Sequence, residues 1–331
     1  MKYSIVIPTY NSERTIGPLL ESIQRQSCGD FETVVVDDNS SDGTLGIVSK
    51  YPCRVFPLKE NKGAAFARNY GAEKAAGGTL VFLDSDVILY EDVMSRIHKN
   101  ISGGGMPALI GMYSGKPANN GFVPEFKALQ EEAWYQRIPP DKATPFTPYV
   151  GAIDRGLFLG LGGFDAKYKD ADVEDYEFTI KLMKKIPSIY LDKNIKVKHH
   201  FPGPKKLVRS YFRRCFLWTE VFLRRKAFET NGTTGRQGMV HILYVMSLLF
   251  LAAALFFRPI IWASVLLMIS ALYLDRDFIG LLLRKKGILF TLRALALNIF
   301  LSFVVVSAAM AGFVYYGTAL FGYKKELVPD A

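Results

Sequence analysis

The amino-acid sequence predicts an α/β fold with an open, mostly parallel sheet, followed by an interfacial amphipathic helix and C-terminal transmembrane helices. Three observations lead to this prediction: β-branched runs alternate with helical stretches up to about residue 115, basic residues concentrate in one short segment, and the composition becomes strongly apolar after residue 238. Half of the 331 residues are apolar and 13% are aromatic, which excludes a disordered chain. We therefore expect an α/β domain at 1–204, a basic interface segment at 205–238 and a membrane domain at 239–323.

The first third of the chain has the alternation that is typical of βαβ units. The predicted strands are 4–7, 33–36, 54–56 and 80–83, and the predicted helices are 15–26, 44–50 and 63–76. Ligands of such sheets bind at the carboxyl ends of the strands. Polar residues follow three of the predicted strands there, at 8–11, 37–40 and 84–86. Residues 116–204 are less regular, with helices near 125–137 and 174–185, and we interpret them as the substrate-facing half of the domain.

The positive charge is concentrated in one segment of the chain. Residues 1–204 hold 24 Lys and Arg against 25 Asp and Glu, whereas residues 205–228 hold eight against Glu220 alone. A nucleic-acid binder would spread its basic residues over its main domain, whereas a basic strip before apolar stretches favours an anionic membrane surface. Apolar residues recur in the strip at helical spacing, which predicts an amphipathic helix lying on the membrane. A solvated charged helix is the alternative, and no nucleic-acid partner is expected.

Three apolar stretches near the carboxyl end predict spans at 239–257, 259–274 and 294–321. About 20 apolar residues cross a bilayer as a helix, and the second stretch is short for that purpose. A buried helical domain is the alternative. The basic residues of 276–286 and of the cluster from Arg224 to Lys226 predict cytosolic loops. A short segment at 278–283 could lie half-buried before the third span.

The amino-terminal domain is expected in the cytosol. The first apolar run is too short for a cleaved signal, and the three cysteines offer neither a disulfide framework nor a CxxC motif. With three spans the carboxyl terminus would lie outside. The protein is therefore expected to be an integral membrane protein with its α/β domain at the cytosolic face.

Two acidic motifs follow predicted strands. Asp84-Ser85-Asp86 places two carboxylates where a sheet binds its ligand, and these could share a divalent cation that also binds phosphate oxygens. Aspartates are also common turn formers, which is the structural alternative. The segment from Asp37 to Gly43 could accept hydrogen bonds from a base or ribose, or cap the helix that follows.

Three further groups of residues are candidates for a site. Lys62 and Arg68 flank a helix amino terminus, which would suit a diphosphate, although the segment is neither a Walker loop nor a GxGxxG motif. Four carboxylates lie within residues 172–177; the helix dipole explains one or two of them, and one could act as a general base. His199 and His200 are either structural or the source of one metal ligand.

Six segments taken in order resemble the inverting family 2 glycosyltransferases of the GT-A fold, a Rossmann-like fold. The segments are IVIPTYNSE, VVVDDNSSDGT, NKGAAFARNYG, LVFLDSDV, LGGFDAKY and VEDYEFTIKL, and together they cover roughly residues 3–215. The resemblance implies transfer of a sugar from a nucleoside diphosphate sugar with Mg²⁺ or Mn²⁺. It also implies roles for individual residues.

The implied nucleoside site consists of Pro8, Thr9, Tyr10, Asn11 and Glu13, with Asp38 or its neighbour Asp37 on the base. Lys62 and Arg68 would lie near the ribose and phosphates. Asp84 and Asp86 would form the DxD motif that holds the metal, with Ser85 between them in the nucleotide site. Asp175 matches the general base, and His199 matches a histidine near the diphosphate that is often a metal ligand, with His200 leaving the register open.

One departure bears on the acceptor. Processive polysaccharide synthases of the family carry a Q-x-x-R-W motif, and the nearest segment, 213–218, lacks its glutamine and spacing. The pattern resembles membrane-anchored enzymes that add one sugar to a lipid or lipid-linked acceptor, such as polyprenyl phosphate or a polyprenyl-linked glycan. A sugar-nucleotide-binding scaffold without catalysis, a processive synthase and a nucleotidyltransferase are the alternatives. The sequence leaves the nucleotide, the sugar and the oligomeric state open.

Overall fold

A computed structural model describes residues 2–140, 145–167, 174–225 and 235–322. The chain divides into two compact units, Met1–Phe201 and Pro202–Ala331, close to the boundary predicted at residue 204. Asp172 and Lys226, which the sequence analysis names, lie outside the described residues.

The first unit contains an eight-stranded mixed sheet. Its strands are β1 (Tyr3–Thr9), β2 (Phe31–Asp37), β3 (Arg54–Pro57), β4 (Thr79–Leu83), β5 (Val87–Leu89), β6 (Ala108–Tyr113), β7 (Val150–Asp154) and β8 (Tyr190–His199). Their order across the sheet is β3-β2-β1-β4-β7-β6-β8-β5. The first four strands are parallel, as predicted, whereas β7 runs antiparallel to both β4 and β6. The prediction of a mostly parallel sheet therefore holds for the amino-terminal half only.

Seven helices of the described chain belong to this unit. They are α1 (Ile16–Gln24), α2 (Thr44–Val48), α3 (Ala64–Lys74), α4 (Val93–His98), α5 (Phe122–Arg137), α6 (Arg155–Gly160) and α7 (Glu174–Met183). One π-helical turn at Lys99–Gly103 continues α4. All residues of β1 and β4 are buried, which explains why both strands read as nearly continuous apolar runs.

Close packing of α3 on the sheet fixes the orientation of its side chains. A Cβ atom on Gly71 would lie 2.5 Å from Cγ1 of Val6 in β1, so only glycine allows this approach. Arg68 precedes Gly71 by three positions and therefore lies on the same helix face. The sheet-facing side of α3 thus carries a buried arginine towards the carboxyl ends of the strands.

The second unit is helical. It contains α8 (Pro204–Arg225), α9 (Gly235–Ala253), α10 (Ile261–Leu274) and α11 (Arg276–Gly322), with a 3₁₀ turn at Arg258–Ile260. Gly287, with φ of 76° and ψ of −178°, interrupts α11. Two helices are long and apolar enough to cross a membrane, Gly235–Ala253 and Arg276–Gly317, and α10 is a shorter apolar helix.

The helix bounds differ from the predicted spans at three points. The helix predicted at 239–257 begins at Gly235 and ends at Ala253, and a turn follows. Residues 276–286, predicted as a loop, form a helix that ends at the non-helical Gly287, and the helix that contains the predicted span 294–321 begins after it. Residues 278–283 accordingly lie within the first of these two helices, where Phe278 and Leu282 are buried.

The amphipathic segment forms a single helix, α8, that packs against α11. Cys215 Sγ lies 3.2 Å from the carbonyl oxygen of Val305. The Phe216 ring is 5.1 Å from that of Tyr316, and a Cβ atom on Gly312 would lie 2.7 Å from Cβ of Thr219. Part of the apolar face that the sequence assigned to the membrane therefore has a partner within the protein.

Candidate active site

The motif at 84–86 lies beside His199 because of a strand pairing. The short strand β5 follows the motif and runs antiparallel to β8, with Val87 opposite His199. Asp86, one position earlier, has its Oδ1 atom 3.2 Å from Nε2 of His199. The His200 backbone N–H donates to the Asp86 carbonyl at 2.9 Å, but the His200 side chain is exposed. The imidazole beside the acidic motif therefore belongs to His199.

Aromatic rings surround the His199 imidazole. Its ring centroid lies 4.7 Å from that of Tyr113 and 4.5 Å from that of Phe201. Tyr113 stacks in turn on Tyr149 at 3.8 Å. Burial raises the pKa of the Tyr113 and Tyr149 phenol groups well above the usual value for tyrosine, so both side chains are neutral. Nδ1 of His199 is buried and has no hydrogen-bond partner within the described part of the chain, which leaves Nε2 as the nitrogen that faces a carboxylate.

Arg68 connects the same motif to the start of α7. Its Nη2 lies 2.7 Å from Oδ1 of Asp84, and its Nη1 lies 3.3 Å from Oε1 of Glu174. Burial alone would lower the pKa of this guanidinium, but the charges of Asp84, Glu174 and Asp175 outweigh burial and raise it. Arg68 thus binds two protein carboxylates. Its implied place near the ribose and phosphates stays a prediction.

Lys62, the other predicted cation, has a different environment. Its Nζ lies 3.2 Å from Oε1 of Glu60 and 4.8 Å from the Phe66 ring centroid. The side chain is 42% exposed and therefore accessible to a ligand. The structure thus separates two residues that the sequence analysis grouped.

The acidic residues of α7 have different partners. Glu174 points inward to Arg68, and Glu177 is paired with Lys167 at 3.2 Å. Asp175 lies between them, and its Oδ1 accepts a hydrogen bond from the Tyr176 N–H at 2.9 Å. Arg68 and Lys167 therefore offset the repulsion among the carboxylates of α7.

The two aspartates at the end of β2, Asp37 and Asp38, have separate roles in the fold. Both oxygens of Asp38 accept hydrogen bonds, from the N–H of Lys62 at 2.7 Å and from the N–H of Gly63 at 2.8 Å. Gly63 has φ of 91°, a conformation that glycine adopts easily. Asp38 therefore holds the turn that starts α3.

Asp37 retains an oxygen without a partner. Its Oδ2 accepts from the Ser40 N–H at 3.0 Å, whereas Oδ1 is buried and unpaired among the described residues. The Oγ1 atom of Thr9 is also buried and has no hydrogen-bond partner among the described residues. Thr9 in β1 lies opposite Asp37 in β2. Buried polar atoms without partners cost free energy, so the ends of these two strands offer groups that a bound ligand could pair.

The loops after β1 and β2 are joined by hydrogen bonds. Oδ1 of Asn11 accepts from the Ser41 N–H at 2.9 Å, and Oε2 of Glu13 accepts from the Gly43 N–H at 3.2 Å. Asn11 has φ of 47°, a left-handed conformation that asparagine tolerates better than most residues. Tyr10 is 51% exposed beside it, and Pro8 lies within β1. The loop predicted to line the nucleoside site is thus held in one conformation.

Ser12 and Ser85 link this loop to the acidic motif, since their Oγ atoms lie 2.8 Å apart. Sequence reasoning missed Ser12, because a serine in a loop carries no distinguishing pattern. It also missed the inward orientation of Glu174, which a helical wheel can suggest only when the sheet-facing side is known.

The geometry suits a cation that takes some of its ligands from a substrate. Among the described residues, no three His, Cys, Asp or Glu side chains are grouped as a complete metal centre. Asp86 and His199 are in contact, and Asp84 contributes a carboxylate that Arg68 also binds. One or two carboxylates together with substrate phosphates form a common environment for Mg²⁺.

The parallel half of the sheet has acidic and hydroxyl groups at its carboxyl edge, as in nucleotide-binding α/β domains. Residues 4–147 match the family model for glycosyl transferase family 2.

Curated relatives match over part of their length. An uncharacterized glycosyltransferase of Haemophilus influenzae is 30% identical over 189 residues, which cover 55% of this chain and 62% of the relative. The poly(ribitol-phosphate) β-N-acetylglucosaminyltransferase TarS of Staphylococcus aureus is 36% identical over 129 residues, which cover 32% of this chain and 22% of TarS. The chain thus spans less than two thirds of the length of these relatives.

Solved structures share the fold. TarS 1–349 in complex with UDP-GlcNAc has a TM-score of 0.53 at 21% identity, and the alignment covers 94% of this chain and 92% of that chain. The mannosyltransferase PcManGT of Pyrobaculum calidifontis, in complex with GDP-Man and Mn²⁺, has a TM-score of 0.54 at 18% identity, with 98% and 88% coverage.

Proposed function

We propose that the protein is an inverting, metal-dependent glycosyltransferase that moves a sugar from a nucleoside diphosphate sugar to a lipid or lipid-linked acceptor. The observation that carries the proposal is the grouping of Asp86 with His199, and of Asp84 with Glu174 through Arg68, at the carboxyl edge of the sheet. Candidate metal ligands and the candidate base at Asp175 are separate groups there, as an inverting displacement requires.

The donor would bind at the ends of β1 and β2. Oγ1 of Thr9 and Oδ1 of Asp37 are buried there without hydrogen-bond partners among the described residues. The exposed Tyr10 ring and the partly exposed Lys62 ammonium group lie on the adjoining loops. Relatives of the same fold bind UDP-GlcNAc or GDP-Man, which supports a nucleoside diphosphate sugar as donor. Lys62 is the cation that is accessible to phosphates.

Mg²⁺ or Mn²⁺ would be held by Asp84, Asp86 and His199. Asp86 and His199 are in contact and suit such an ion, and Asp84 lies two positions earlier in the same motif, so donor phosphates would supply the remaining ligands. When bound, the ion supplies positive charge that neutralises the departing diphosphate. PcManGT binds Mn²⁺ together with its donor, which supports the assignment.

Asp175 would accept the proton of the acceptor hydroxyl. The Tyr176 N–H fixes one of its carboxylate oxygens, and Arg68 adds a favourable charge nearby. In this assignment Glu174 and Glu177 are not bases, since each is paired with a cation.

The acceptor would lie at the cytosolic face of the membrane. In the most apolar stretches of α9 and α11, only 22% and 28% of the residues are buried within the protein. Most of each apolar surface would therefore be available to lipid. The basic residues of α8 would face an anionic membrane surface. A non-processive enzyme is favoured because residues 213–218 lack the Q-x-x-R-W motif.

Donor turnover tests the proposal. Purified full-length protein in lipid is incubated with UDP-, GDP- and dTDP-sugars and Mg²⁺ or Mn²⁺, with or without a lipid extract, and released nucleoside diphosphate is measured. We expect release from one donor, increased by the lipid and lost in Asp86→Ala. Nucleotide binding without release from any donor would favour the non-catalytic scaffold instead.

A further inference from the structure

Two consecutive residues of α3, Arg68 and Asn69, form hydrogen bonds with residues on either side of the segment that precedes α7. Asn69 binds the backbone of Phe164 twice: Nδ2 donates to the carbonyl at 2.7 Å, and Oδ1 accepts from the N–H at 2.9 Å. Gly163 has φ of 64°, and a Cβ atom there would overlap the Asn69 amide. Arg68 binds Glu174, the first residue of α7. The position of α7 is therefore tied to α3.

The Arg68 guanidinium makes a second connection, to the acidic motif. Its two terminal nitrogens bind Asp84 and Glu174 separately, and the Arg68 and Glu174 side chains are only 4% and 5% exposed. A guanidinium has a rigid fork of donors and can hold two carboxylates in a fixed geometry, which a lysine ammonium cannot do as well. One side chain thus joins a candidate metal ligand to the residue next to the candidate base.

We propose that Arg68 is a positioning residue that fixes the metal-binding carboxylate of Asp84 relative to the base Asp175 by bridging Asp84 and Glu174. The inference rests on the function proposed above and deepens it. In this proposal Arg68 acts through Asp84 and Glu174. It does not act by contacting the donor phosphates, and its role is not only structural.

Energetics favour a positional role over a contribution to stability. Burying an ion pair costs desolvation free energy, and apolar residues of similar volume often stabilise a protein as well or better. A bond to a metal ligand from outside the coordination sphere commonly controls metal affinity and activity. The Arg68 bridge should therefore be visible in metal binding and in kcat.

The test compares Arg68→Lys, Glu174→Gln and the double variant with a matched control, Glu32→Gln. Glu32 is a similarly buried carboxylate, 6% exposed, that pairs with Arg54 at 2.7 Å away from the acidic motif. Full-length protein in detergent is titrated with Mn²⁺ alone, with free Mn²⁺ measured by electron paramagnetic resonance. Donor kinetics and the thermal unfolding midpoint are measured on the same samples.

For Arg68→Lys we expect Mn²⁺ affinity and kcat each to fall by about 10-fold to 100-fold, with a donor KM within about twofold of wild type. Glu174→Gln should lower kcat by about tenfold and should cause little further loss in the Arg68→Lys background, since both substitutions break one bridge. Glu32→Gln should lower the unfolding midpoint without changing Mn²⁺ affinity or kcat.

Three results would overturn the inference: wild-type Mn²⁺ affinity in Arg68→Lys, losses that add fully in the double variant, or a wild type that binds no Mn²⁺. Failure of the proposed function looks different. In that case the wild type releases no nucleoside diphosphate from any donor, while the Mn²⁺ titration still decides whether Arg68 positions Asp84.

Discussion

The two units of the molecule use polar residues in different ways. In Met1–Phe201 several polar side chains near the strand ends are held by hydrogen bonds, as with Asp38 on the N–H groups of Lys62 and Gly63. In Pro202–Ala331 the helices expose long apolar surfaces, and single contacts such as Asn298 with Asp275 at 3.0 Å join them. The first pattern fixes reacting groups, and the second suits helices that pack in lipid.

The charge distribution follows the same division. The α/β domain at 1–204 has a net charge of −1, whereas the segment 205–228 has +7 and the rest of the chain +4. We infer that the first unit carries out the proposed glycosyl transfer and that the second unit associates with the membrane. Substitutions in one unit should then leave the property of the other unchanged.

The largest effect is expected from Asp175→Asn. Loss of the general base should lower kcat by about a thousandfold, because the amide cannot take up the acceptor proton. Nucleotide binding and membrane association should be retained, since the proposal assigns Asp175 to the acceptor hydroxyl and not to the nucleotide or the membrane. Initial rates of nucleoside diphosphate release measure the effect.

Glu177→Gln is the control for that substitution. Glu177 lies two positions away in α7 and is paired with Lys167, so its loss should cost little activity. Equal losses in both variants would mean that the charge of the cluster, and not Asp175, supports the reaction.

A second prediction separates the two adjacent histidines. His199→Gln should weaken Mn²⁺ binding by about tenfold or more, because the imidazole beside Asp86 is lost. His200→Gln should leave Mn²⁺ binding unchanged, since the His200 side chain is exposed. Titration with Mn²⁺ alone measures both, and equal effects of the two substitutions would contradict the assignment.

The sequence predicted the local features of the first unit well. The strands from β1 to β4 are β-branched runs, and the helices between them begin after polar or glycine-containing turns, so chain-local patterns are enough. The candidate metal ligands also follow a strand, which places them at the carboxyl edge of the sheet. Those predictions need no knowledge of distant contacts.

Contacts between distant residues were not predictable. The pairing of β5 with β8 brings His199 to Asp86, and the packing of α3 brings Arg68 to Glu174. The sequence analysis placed Arg68 near the phosphates from its position beside a helix amino terminus and from the resemblance, and it did not predict the bonds to Asp84 and Glu174. In the second unit, the charged residues at 276–286 predicted a loop, but this segment is helical. Phe278 and Leu282 are buried on that helix, and this burial was not visible in the sequence.

A third prediction concerns the basic residues of the second unit. Lys205→Gln with Lys206→Gln should weaken the response to anionic lipid by about 1 kcal/mol for each charge. Turnover is measured against the anionic lipid content of proteoliposomes. The exposed pair Lys184 and Lys185 of the first unit provides the control. If the control pair has the same effect, the membrane surface does not recognise α8 specifically.

The smallest effect is expected at Glu32, where stability but not catalysis should change. Burial would raise the pKa of Glu32, but hydrogen bonds from Ser4 and the Ala76 N–H, together with Arg54, outweigh burial and lower it. Because the pKa is lower in the folded state, the unfolded state binds more protons in acid. The stabilisation is therefore complete above the unfolded pKa of about 4.3 and is lost as the pH falls through the folded value.

Glu32→Gln should remove about 2 kcal/mol of this stabilisation at neutral pH and flatten the acid dependence of the unfolding midpoint. Thermal unfolding of the full-length protein in detergent between about pH 3 and pH 7 measures it. Glu73→Gln, an exposed carboxylate in α3, is the control. A wild-type acid profile in Glu32→Gln would show that the acid dependence arises elsewhere, and a loss of kcat would show that the edge at β2 and β3 is coupled to the site.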